Sequence, residues 1–228
     1  TCFAFLAIPG FITILLLLFT RRKFPNPEHF EPESKKNESF VMKKSFVFYI
    51  VGISLFAFGF MDYALIIMHI SKNIGGLGTS LLFIREETLP LLYAGAMLVD
   101  AIAALVFGHL YDKKGTRALV ISTLLSAPFS LFIFGIKSEW AILFGLVLWG
   151  IGMGAQESIL KAAVTSMVPK KNRASGYGIF ECSFGIFWFL GSWLLGVLYS
   201  KSLPLMIGIS ILAQVLAIPF YLRVSKIK

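Results

Sequence analysis

Seven apolar runs, each close to the length a helix needs to cross a lipid bilayer, constrain this chain more than any other feature. They occupy residues 1–20, 46–70, 88–109, 118–136, 140–166, 175–200 and 203–223, separated by charged or turn-forming breaks. A spanning helix needs about 20 mostly apolar residues. A membrane β-strand needs only about 10, with an inside–outside alternation that these runs lack. The pattern therefore predicts an all-α membrane protein with seven transmembrane helices. Composition agrees: 57% of the 228 residues are hydrophobic and 14% charged, against roughly half and a quarter in soluble proteins. The mean hydropathy is +0.81.

A net charge of +9 would suit a nucleic-acid partner if the bases formed a patch. They follow the spans instead. Residues 21–45 carry seven Lys or Arg, 110–117 three, 167–174 three, and Arg223 with the tail 224–228 another three; the opposite connections carry only Lys72, Arg85, Lys137 and Lys201. Cytoplasmic connections collect the positive residues. The charge is thus topological: the first residue is expected outside a cell membrane, the C-terminus in the cytoplasm, the bilayer is the partner, and no nucleic acid is implied. No basic region precedes the first run and the chain opens on Thr1, so a signal peptide is not expected and a fragment of a longer protein is. Cys2 and Cys182 both fall in apolar runs, which points to packing rather than a disulfide framework.

Residues 21–45 make the one long polar connection. They carry Pro25, Pro27, Pro32 and four glutamates among the bases, too little apolar surface to fold alone, and read as a cytoplasmic linker. Gly75, Gly76 and Gly78 lie in an outer connection without the Lys-Ser/Thr ending of a phosphate cradle. Gly150, Gly152 and Gly154 in the fifth run and Gly185, Gly191 and Gly196 in the sixth predict close helix contacts. Pro128 and Pro219 each remove a backbone donor and can bend their helices.

Between the third and fourth runs the chain reads Gly108-His109-Leu110-Tyr111-Asp112-Lys113-Lys114-Gly115-Thr116-Arg117. Gly108 allows close approach to a helix end, Gly115 permits a turn with positive φ, and Asp112 can cap a helix or pair with Arg117. This segment resembles the signature loop of the major facilitator superfamily, matched at Gly108, Asp112, Lys113, Gly115 and Arg117; Thr116 departs from the pattern. In that family the loop follows the second helix and recurs after the eighth. Placing it after the eighth makes 1–20 the sixth helix, 21–45 the central linker, 46–223 the C-terminal six-helix bundle and 224–228 the tail. The resemblance then implies that five helices of an N-terminal half are missing, and that this half is a partner of the chain. Gly150 to Tyr177, with Glu157-Ser158, Lys161, Pro169, Arg173 and Gly176-Tyr177-Gly178, also resembles the tenth-to-eleventh helix region of prokaryotic members.

Charges inside a bilayer cost about 2.5–3.5 kcal/mol each on insertion scales, so they need a cavity or a partner. Asp100 lies near the centre of the third run, with Tyr93 one heptad earlier. A carboxyl there can titrate as its surroundings open and close, coupling protons to transport; a packing hydrogen bond is the alternative reading. Asp62 and His69 are seven apart and share a helix face, as a proton or solute path or as a polar helix contact. Glu157 and Lys161 stand one turn apart in the favourable order and can neutralise each other. Glu181, Arg173, Asp112 and Arg117 gather toward the cytoplasmic side, where pairs that break in one conformation can form a gate; at that depth Glu157 and Glu181 suit the gate better than a midplane solute site. Trp188 can line a pocket, and Trp140, at a run boundary, suits the interface. The phenylalanines read as packing or lipid-facing residues.

The function these features predict is movement of a small solute by a secondary transporter working through alternating access, with proton coupling. The chain has no nucleotide loop, no His/Cys metal constellation and no nucleophile–base pair, so neither an enzyme nor a cofactor is expected. A seven-helix receptor or sensor matches the helix count, although the last run holds no interior lysine for a retinal pigment.

Overall fold

The computed structural model describes residues 2–24, 42–74 and 84–226, and among them every regular element is helical. The glycine-bearing stretch 75–78 and residues 25–41 of the expected linker lie outside the described residues. The chain divides into two units, Thr1–Ser39 and Phe40–Lys228.

The first unit holds α1 (Cys2–Lys23), which ends on Arg21, Arg22 and Lys23, cations at the negative end of the helix dipole. Its apolar side chains from Phe11 to Phe19 are exposed.

The second unit contains α2 (Lys44–Gly59), α3 (Tyr63–Asn73), α4 (Leu89–Lys114), α5 (Arg117–Ser126), a π-helical turn (Leu131–Gly135), α6 (Glu139–Met167), α7 (Arg173–Lys201) and α8 (Leu203–Lys226). Six segments are long and apolar enough to cross a membrane: Lys44–Asn73, Glu86–Lys114, Arg117–Gly135, Glu139–Met167, Lys170–Lys201 and Leu203–Val224. Their ends fall within five residues of the sequence reading. Local chemistry sets those ends. A single 3-10 turn, Glu86–Thr88, leads into α4; Thr88 Oγ1 accepts the Arg85 N–H at 2.8 Å, and Pro90 stands in the first turn, where its missing donor costs nothing. Glu139 begins α6, and its carboxylate accepts the Ile84 N–H at 2.5 Å.

Lipid is as apolar as leucine, so van der Waals fit between helices decides how they associate. The tightest seam joins α6 to α4. A Cβ on Gly150 would stand 2.7 Å from the Ala96 carbonyl oxygen, and one on Gly154 would collide with the Asp100 carbonyl. On another face, Gly152 would meet Ser126 Cβ at 2.7 Å, which keeps α5 against α6. Gly191 of α7 packs on the Phe58 backbone, but Gly185 and Gly196 have nothing within 4 Å. The expectation of close contact therefore fails at those two positions, because α7 turns them away from the bundle. Cys182 is free and exposed, also on α7, rather than a packing residue inside the bundle.

Two spans are not continuous α-helices. Pro128 interrupts the segment Arg117–Gly135 as expected: α5 stops at Ser126, and the Pro128 carbonyl accepts the Leu131 N–H at 3.0 Å and the Phe132 N–H at 3.3 Å before the π turn. Pro219, by contrast, lies inside a helix that runs on to Lys226. The larger break, at Phe60–Asp62 in the first of the six spans, has no proline to announce it.

Candidate functional site

Ending α2 at Gly59 and restarting at Tyr63 exposes backbone carbonyls that a membrane interior cannot solvate. Irregular backbone at that depth survives only where other groups satisfy it. Here two helices do so. Ser210 Oγ and Gln214 Nε2 of α8 donate to the Gly59 carbonyl at 2.7 and 3.3 Å. Trp149 Nε1 of α6 donates to the Met61 carbonyl at 2.9 Å. Trp149, Ser210 and Gln214 are all buried.

Asp62 is the N-cap residue of α3, yet its side chain makes no capping bond. Its carboxylate turns to α7 instead, accepting Trp188 Nε1–H and Ser192 Oγ–H, both at 2.6 Å. Rings close around it: Phe60 lies 5.9 Å from Trp149, 5.8 Å from Trp188 and 5.3 Å from Phe129. Tyr63 lies 5.5 Å from Trp149 and 4.7 Å from Tyr93. Tyr93, paired with Asp100 in the sequence reading, thus also belongs to the aromatic surroundings of the break.

His69 also turns to α7 but joins a separate cluster: its Nδ1 is 3.1 Å from Tyr199 Oη, and Asn73 Nδ2 donates to the His69 carbonyl at 2.7 Å. Asp62 and His69 therefore meet α7 at different levels rather than forming one group.

Asp100 sits on the α4–α6 seam. Its Oδ1 is buried without a hydrogen-bond partner among the described residues. Between α6 and α7 opens a cavity of about 460 Å³, lined by Gln156, Glu157, Lys161, Glu181 and Trp188 among others. Glu181 of α7 thus joins Glu157 and Lys161 of α6 on one lining.

At the cytoplasmic turn Gly115 adopts φ 59°, the one positive φ among the described residues, and its N–H donates to Tyr111. A left-handed residue there favours glycine. Asp112 lies within α4, whose last turn carries Lys113 and Lys114, and the N-cap of α5 is Thr116; Asp112 is therefore not that cap. A Cβ on Gly108 would stand 3.8 Å from Ser158, an ordinary contact, so close approach does not require glycine there. Arg117 opens α5. Arg173 Nη2 donates to the Thr165 carbonyl at 3.4 Å, tying the α6–α7 turn instead of reaching Asp112 or Glu181.

Several of these residues were not legible in advance. Trp149, Ser192, Ser210 and Gln214 matter because of the break; the only sequence signal was polar Ser210 and Gln214 one turn apart in an apolar run.

A bundle of membrane-crossing helices with charged groups facing an internal cavity defines a multi-pass membrane protein. The model of the Major Facilitator Superfamily matches residues 48–227, and the chain belongs to that family. An uncharacterised protein of Mycobacterium tuberculosis and one of Mycobacterium bovis are each 30% identical over 219 residues, 93% of this chain and 51% of theirs. A class H tetracycline resistance protein of Pasteurella multocida is 26% identical over 121 residues, 51% of this chain and 30% of its own. The chain thus spans about half the length of the mycobacterial relatives. No solved structure matches it.

Proposed function

We propose that this chain is the C-terminal half of a proton-coupled secondary transporter that moves a small solute by alternating access, in a cell membrane with its C-terminus in the cytoplasm. The observation that carries the reading is the break at Phe60–Asp62. Transporters of this kind bind at discontinuous helices, where irregular backbone borders a cavity, and here a carboxylate and two tryptophans gather at one. The matching length of about half the relatives supports a missing N-terminal bundle as the other wall of the pathway. On this reading the turn Gly108–Arg117 belongs to the cytoplasmic gate.

Asp100 is the proton carrier in this proposal. Its Oδ1 is buried on the α4–α6 seam without a partner among the described residues, so a proton taken up there is shielded while the seam is shut and given up when it opens to water. The test is reconstitution of the full-length protein in liposomes with an imposed pH gradient. Tetracycline is the first solute to try, because of the name of the 26% identical relative. Asp100→Asn is expected to keep solute exchange without a gradient and to lose pH-driven accumulation. Unchanged accumulation would remove Asp100 from the coupling role. Absence of flux for every solute tried with the intact protein would remove transport itself.

A further inference from the structure

The wall that α7 gives to the cavity is aromatic in a regular way. Phe180, Phe184 and Trp188 recur at four-residue spacing, so they stack along one helix face. Ring centres are 6.0 Å apart for the first pair, at 27°, and 5.3 Å for the second, at 42°. Trp188 spends its N–H on Asp62, which anchors that end of the ladder to a carboxylate. Glu181 lies beside the other end, and Glu157 stands with it on the lining against a single base, Lys161. Acids therefore outnumber bases around a flat aromatic surface, the arrangement that attracts a cation over ring faces.

A second observation concerns hydrogen bonding. Gln156 lines the same cavity and is only 5% exposed. Its Nε2 donates to the Gly152 carbonyl at 3.2 Å, while its Oε1, buried, has no partner among the described residues. A buried acceptor left alone is costly, so this one calls for a donor from whatever fills the space. A cavity of about 460 Å³ falls within the usual size range of small-molecule sites.

We propose that the α6–α7 cavity binds a flat aromatic cation bearing N–H donors: its rings lie on Phe180, Phe184 and Trp188, its N–H meets Gln156 Oε1, and its charge stands near Glu181 and Glu157. This rests on the transporter reading only in naming the class of solute; binding can be measured without flux.

The experiment compares three planar probes of similar size with the purified full-length protein in detergent, by fluorescence titration: proflavine (cationic), acridine (neutral at neutral pH) and anthracenecarboxylate (anionic). Proflavine is expected to bind about tenfold more tightly than acridine, and anthracenecarboxylate least well. Glu181→Gln should cut that preference to about threefold or less while leaving acridine affinity alone, with Glu157→Gln as the second, independent charge variant. Phe184→Leu should weaken all three probes together. Equal affinity for the three, tighter binding of the anion, or a cation preference untouched by both Gln variants would overturn the proposal. Driven flux with no charge preference would sink this inference and spare the transporter reading; charge-selective binding without flux of any solute would do the reverse.

Discussion

Helices α6 and α7 have the same length, 29 residues, and both are apolar and glycine-bearing, yet they occupy opposite situations. The apolar stretch of the α6 span is 61% buried and that of the α7 span 11%. The glycines explain much of this. Gly145, Gly150, Gly152 and Gly154 of α6 are each pressed by a neighbouring backbone or side chain, whereas on α7 Gly178, Gly185 and Gly196 face open space and Gly191 lies against Phe58. The polar residues divide less cleanly: Trp149 and Gln156 of α6 are interior, but Glu157 and Lys161 of α6 are exposed, as Glu181 and Cys182 of α7 are. One helix is the axis around which the bundle is built; the other turns most of its surface outward and carries the aromatic ladder on its inner stripe, where Phe180 is buried and Phe184 and Trp188 are half-buried. Hydrophobicity cannot separate the two cases, because lipid and protein interior are equally apolar.

The comparison can be broken most directly at the glycines. Gly154→Leu should cost ~3 kcal/mol or more, since the side chain would have to displace the α4 backbone at Asp100; the expected readout is loss of monodisperse protein on size exclusion. Gly185→Leu should stay within about 0.5 kcal/mol. An equally severe Gly185→Leu would mean that the outer face of α7 is covered in the full-length protein.

A smaller contrast uses the tryptophans. Trp149→Phe leaves the Met61 carbonyl without its donor and should cost about 1–2 kcal/mol, seen as a fall of the thermal midpoint by a few degrees. Trp193→Phe changes a side chain that is 63% exposed on α7, and its midpoint should match the parent's. Equal midpoints for both variants would show that the break at Phe60–Asp62 does not depend on α6.

The smallest effect expected reverses sign. Gly178→Ala on α7 meets nothing within 4 Å and should stabilise by about 0.5–1 kcal/mol, because a mid-helix glycine leaves more chain entropy to lose. Gly152→Ala on α6 should destabilise, since its Cβ would stand 2.7 Å from Ser126. Melting both variants beside the parent checks the pair; shifts of the same sign would erase the distinction between the two helices.

Much of the architecture was legible beforehand, for reasons tied to particular residues. The six spans were readable because a membrane-crossing helix must be long and apolar regardless of its neighbours. Gly115 was readable because a turn after Lys113-Lys114 needs the φ 59° that glycine adopts without strain. Gly108, in the same motif, was misread as a close contact, since what stands opposite it, Ser158 at 3.8 Å, is 50 positions away.

The candidate site divides along the same line. Asp62, Asp100, Glu157, Lys161 and Glu181 stood out in the sequence because ionised groups in apolar runs are costly wherever they end up. Their partners did not stand out. Asp62 and His69 looked like neighbours on one helix, but the break at Phe60–Asp62 turns Asp62 into an N-cap residue bonded to Trp188 and Ser192. Trp149, Ser210 and Gln214, arriving from two other helices, satisfy the carbonyls that break frees. By itself the sequence determined which segments enter the membrane and which residues are too polar to lie idle there, since both follow from the transfer energy of each residue. Only the tertiary structure decided where a helix breaks, which glycines are seams and which rings form a wall. Those outcomes depend on groups brought within a few ångströms across the bundle, and spacing along one chain carries no such distance.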